Sequence, residues 1–105
     1  MGRMITPPHS PFEAALRGRY HEWRKLGYPA NRFYQLFSPH CKRYIGGVAA
    51  ARSVLNSETA GFAFLKKHGR LDLTVEALML QPQWHSLFRA EELAMAARKI
   101  GQRFP

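Results

Sequence analysis

The sequence predicts an all-α fold, a single compact bundle of five to six short helices. Apolar residues recur at spacings of three, four and seven, and most such stretches are opened by a capping residue or proline and closed by glycine or proline. The one stretch that alternates, residues 70–73, has no second strand to pair with. A composition of 46% hydrophobic and 12% aromatic residues in 105 offers enough apolar surface to offset the conformational entropy of one folded domain.

Residues 1–9 contain Gly2, Pro7 and Pro8 and have no periodicity, so a flexible arm is expected there and a single helical domain over 10–105. "SPFE" then gives Ser10 as N-cap, Pro11 at the first helical position and Glu13 as the carboxylate of a capping box. The stripe Phe12, Leu16, Trp23 and Leu26, with Tyr20 or Arg19 between, faces inward, and Gly27 closes the helix. A helix of about two turns fits between Pro29 and Pro39, with Phe33, Leu36 and Phe37 inward. Gly46 and Gly47 mark a break or a close approach of backbones. "VAAARSVLN" predicts an alanine-rich helix with Val48, Ala51 and Leu55 on one side.

Asn56 and Ser57 offer a stop and a new cap before "TAGFAFLKKHG", a short helix with Phe62 and Leu65 inward and Gly69 as terminator. The pair of helices around "NSET" reads as an αα corner in the core, because the front of its second helix is small and apolar and unsuited to base readout. Asp72 is expected to cap a helix starting at Leu73, with Val75, Leu78 and Met79 buried and Glu76 favouring the helix dipole. Pro82 stops it, Trp84, Leu87 and Phe88 form a plug, and "AEELAMAARKIG" makes the last helix. Leu93, Ala96 or Ala97, and Ile100 face inward there, Glu91 and Glu92 lie at the positive end, and Arg98 and Lys99 at the negative end.

Charge is the strongest signal bearing on function. Sixteen Lys and Arg against seven Asp and Glu give a net charge of +9, a field that attracts polyanions. Residues 1–55 hold nine basic and two acidic residues, against seven and five in 56–105. A lone Cys41 cannot form an internal disulfide and fits a reducing, cytoplasmic setting. No apolar run approaches the roughly 20 residues of a membrane span, and the first ten residues lack a signal-peptide core.

Catalysis is poorly provisioned. Glu13, Asp72, Glu76, Glu91 and Glu92 all fall in caps or first helical turns. His9, His21, His40, His68 and His85 lack the spacing that sets two ligands on one helix face, and His40 beside Cys41 lacks an orienting third group. The glycine pair lacks the lysine or third glycine of a phosphate-cradling loop. No catalytic residue, metal or cofactor is therefore expected. What remains is a basic first half interleaved with aromatics, in which Arg17, Arg24, Lys25, Arg32, Lys42 and Arg43 are the expected phosphate-contacting group. Phe12, Trp23, Phe33 and Phe37 are expected in the core, leaving Tyr20, Tyr28, Tyr34 and Tyr44 as the more open aromatics.

From its glycine pair and alanine-rich helix through the "GRLDLTVEALML" centre to the "WHSLFRAEEL" close, the C-terminal half resembles a small uncharacterised bacterial helical module. The resemblance implies an association with restriction and defence loci and an accessory role near nucleic acid. It transfers no catalytic residue and does not cover the basic N-terminal half. Arg89 stands where that pattern has Ser or Thr, which implies a frayed or shifted start to the last helix. The reading that follows is a non-catalytic module that contacts DNA or RNA phosphates through its basic half. The alternative is a protein-interaction adaptor or inhibitor anchored by Trp84, Phe88 or the tyrosines, with no direct nucleic-acid contact.

Overall fold

The computed structural model describes residues 10–56 and 59–101; the expected N-terminal arm and Ser57 lie outside them. Among the described residues the chain is all-α. Six α-helices, α1 (Pro11–Lys25), α2 (Asn31–Phe37), α3 (Gly47–Ser53), α4 (Ala60–Lys67), α5 (Val75–Met79) and α6 (Ala90–Lys99), are joined by 3₁₀ segments at Leu71–Leu73 and Pro82–Leu87. They fall into two compact units that divide within α3, between Ala50 and Ala51.

In the first unit, α1 begins as its sequence dictates, with the Ser10 hydroxyl accepting from the Glu13 N–H at 3.2 Å. Phe12, Leu16, Tyr20 and Trp23 are buried along one stripe, so Tyr20 fills the position left open between itself and Arg19, while Leu26 at the C-cap is only half-buried. Gly27, at φ 101°, turns the chain out of the helix, as the left-handed region favours. Phe37 of α2 is fully buried and joins an aromatic cluster with Phe33 and Trp23, ring centroids 5.3 and 5.9 Å apart along the chain of contacts. After α2 the backbone N–H groups of Ile45 and Gly46 both donate to the Leu36 carbonyl, closing the Ser38–Tyr44 turn.

Glu13 departs from the expected capping box. Its carboxylate does not return to the Ser10 backbone; it is buried, and Oε1 accepts from the Tyr44 hydroxyl and the Gly47 N–H, each at 3.0 Å. One side chain of α1 thus caps α3. The glycine pair serves both purposes its sequence allowed, Gly46 at φ 96° breaking the chain and Gly47 lying close against α1.

In the second unit, Thr59 caps α4 by accepting from the Phe62 N–H, and Phe62 and Leu65 are buried. Asp72 does not cap the next helix. It is exposed in a two-pronged pair with Arg70, and the helix starts later, at Val75. Thr74 takes the cap because its hydroxyl donates to the Leu71 carbonyl and accepts from the Ala77 N–H, satisfying the end of the 3₁₀ turn and the start of α5 together. Leu73, Val75, Leu78, Met79, Leu93, Ala96 and Ala97 make the core, so both alanines of α6 are buried and Ile100 stays half-exposed. In the expected plug, Phe88 is buried, Trp84 half-buried and Leu87 37% exposed. The three belong to or follow a 3₁₀ segment, which sets Leu87 over Trp84, three residues before it, and leaves the next residue, Phe88, on a different face. The start of α6 is tied rather than frayed, since Glu92 Oε1 accepts from the Arg89 N–H at 2.9 Å.

Candidate nucleic-acid interface

All six expected phosphate-contacting residues lie in the first unit, on three elements. Arg17, Arg24 and Lys25 stand on α1, Arg32 in the first turn of α2, and Lys42 and Arg43 in the turn that follows α2. Arg24, Lys25, Arg32, Lys42 and Arg43 are exposed and Arg17 is half-buried. The fold brings Arg17 and Arg24 onto one face of α1, two turns apart. Lys25 pairs with Glu22 at 3.1 Å, both side chains largely in water.

Both units keep basic residues beyond those their described acids hold, Lys67 and Arg98 in the second unit among them. In the second, every described acid is held by a base: Asp72 by Arg70, Glu76 by Lys99, Glu91 by Arg89 and Glu92 by Arg52. In the first, the two acids are Glu22, paired with Lys25, and Glu13, turned inward to Tyr44 and Gly47. Glu13 lies one helical turn from Arg17, the spacing of a favourable i,i+4 pair, yet its carboxylate is committed to capping α3. Among the described residues, Arg17, Arg24, Arg32, Lys42 and Arg43 therefore have no carboxylate within ion-pair distance. Tyr44 stays a hydrogen-bond donor to Glu13, since burial, the bond itself and the Glu13 charge all push its hydroxyl above the ordinary tyrosine range.

The aromatics separate into core and rim. Tyr20, expected among the open tyrosines, is buried; its hydroxyl donates to Asn31 Oδ1 at 3.2 Å and its ring stacks on Tyr34 with centroids 4.4 Å apart. The Arg24 guanidinium lies 5.8 Å from the Tyr20 centroid, within cation–π range. Tyr28, Tyr34 and Tyr44 are half-buried. No sequence spacing announces the Tyr20–Tyr34 stack, which exists only because α2 folds back on α1.

The anchors expected for a protein partner are less open. Phe88 is buried beneath the Arg52 guanidinium, and the Trp84 indole N–H donates to Gln81 Oε1 at 3.2 Å. The large apolar side chains exposed among the described residues are Ile45, at 50%, and Leu87. Among the described residues, no three His, Cys, Asp or Glu side chains gather as a metal site, and no helix is long and apolar enough to cross a membrane. No protein-family model, curated protein or solved structure matches the chain.

Proposed function

We propose that the chain is a non-catalytic accessory module that binds DNA or RNA phosphates through its first unit. The observation that carries this reading is that Arg17, Arg24, Arg32, Lys42 and Arg43 have no acid among the described residues of the first unit, where Glu22 pairs with Lys25 and Glu13 is turned inward. Such groups keep their full attraction for phosphate, and displacing counterions from a polyanion rewards them. The front of α4, the helix a helix-turn-helix reading would place in a groove, exposes Ala60 and Ala63, which favours phosphate contact over base readout. An association with restriction and defence loci in a bacterial cytoplasm belongs to the same proposal, on the resemblance of the C-terminal half.

A protein-interaction adaptor is the weaker reading. Ile45 and Leu87 are single exposed side chains of the kind any surface carries. The two readings separate on one variant. Arg17→Gln, Arg24→Gln and Lys25→Gln combined should weaken binding to DNA or RNA and flatten its salt dependence by about one unit of slope per lost phosphate contact. Unchanged affinity with an intact fold would remove this face from nucleic-acid binding.

A further inference from the structure

We propose that Tyr34 is a stacking platform for one unpaired base of single-stranded RNA or DNA, with Arg17 and Arg24 holding the phosphates on either side. The inference rests on the nucleic-acid reading above and specifies the form of nucleic acid. Tyr20, with Arg17 three residues before it and Arg24 four after, places an arginine on each side of its ring along α1. Tyr34 stacks on that ring at an interplanar angle of 25°, and the Arg24 guanidinium lies 5.8 Å from the centroid of the same ring. Tyr20 covers one face of Tyr34, and Phe37 packs nearly perpendicular to it with centroids 5.4 Å apart. Tyr34 nonetheless keeps part of its surface in water.

The support is rigid. Tyr20 is buried and its hydroxyl is tied to Asn31, one turn from Tyr34 on α2. A base arriving on Tyr34 would extend an existing stack and order little new protein. The rise of an α-helix separates Arg17 from Arg24 by about 10 Å along α1, room for a backbone to pass on both sides of one seated base. A base inside a duplex already has both faces stacked on its neighbours and offers none to Tyr34, whereas an unpaired base does. Charge complementarity selects a polyanion, and the aromatic rim selects its single-stranded form.

The test measures binding of the full chain to a short single-stranded RNA, to the same backbone lacking bases, and to the corresponding duplex, across a salt series. Tyr34→Leu should weaken single-strand binding roughly tenfold while leaving the salt slope unchanged, and Tyr34→Phe should bind within about twofold of the parent. The parent itself should bind the base-free strand more weakly than the intact one, a comparison that holds even if Tyr34→Leu fails to fold. Equal affinity for base-free and intact strands, or tighter binding to duplex, would overturn the stacking proposal and leave phosphate binding standing. Absence of salt-dependent binding to any of the three would overturn the underlying reading as well.

Discussion

Glu13 shows why a residue's local role need not be its final one. Four residues of sequence make it a capping-box acid, and Ser10 and Pro11 do start α1 as that motif demands. Its carboxylate instead reaches Gly47, a partner 34 positions away, which no local pattern announces. The Gly47 position is correspondingly tight: a Cβ there would lie 3.1 Å from both Cα and Cβ of Glu13, atoms that cannot rotate aside. Gly47→Ala should destabilise the fold by about 1–3 kcal/mol in chemical denaturation. Gly18→Ala, in the middle of α1 with nothing near its Cβ, should instead stabilise by about 0.5–1 kcal/mol.

Glu92 makes a separate prediction through pH. The Arg89 N–H lowers its carboxyl pKa most, burial opposes, and the hydrogen bond and charge of Arg52 lower it further, for a net value below the ordinary 4.5. The folded state therefore keeps Glu92 ionised where the unfolded chain protonates it. That stability is fully present above 4.5 and is lost as pH falls through the lower folded value. Glu92→Gln should cost about 1 kcal/mol at neutral pH, with half of the pair in water, and the gap to the parent should close as unfolding is followed into acid. A constant gap across that range would contradict the assignment.

Among the helices, boundaries were legible where the signal is a cap, a proline or a positive-φ glycine, because these act within one turn. Gly27 and Gly69 close α1 and α4 as their sequence positions imply. The start of α5 was not, since Asp72 and Thr74 are both good caps and the choice turns on burial: Thr74 is buried with both hydroxyl bonds made inside, while Asp72 pairs with Arg70 in water.

Lys99 was legible only as a dipole-favouring residue at the end of α6. Folding carries its ammonium to Glu76 of α5, to the Val54 carbonyl at 2.7 Å and to 4.9 Å from the Phe62 ring, so it links four segments of the second unit. Glu76 is 2% exposed, and removing its counter-charge leaves a buried carboxylate unpaired. Lys99→Met should cost about 3 kcal/mol, and adding Glu76→Leu should restore part of that loss. Strictly additive costs in a double-mutant cycle would show that the two residues do not act as a pair.

Across the whole molecule, the all-α class followed from periodicity, and the concentration of positive charge in the first half from counting. What counting could not supply is which charges are neutralised. Arg52, Arg70, Arg89 and Lys99 each meet an acid of the second unit, whereas Arg17 loses its natural helical partner because Glu13 turns inward. The Tyr20–Tyr34 stack was equally out of reach, since it depends on two helices meeting. The excess of charge counted in the first half thus includes basic residues with no described acid, of which Arg24 lies over the Tyr20 ring.

Binding of the purified, nucleic-acid-free protein to labelled single-stranded RNA and duplex DNA across a salt series tests the claim that this group engages phosphate. If three to five of these residues make contacts, log affinity for the single strand should fall with log salt at a slope of about −2 to −3.5. Binding that is absent at low salt, or present with a slope near zero, would contradict the account and turn the search to a protein partner.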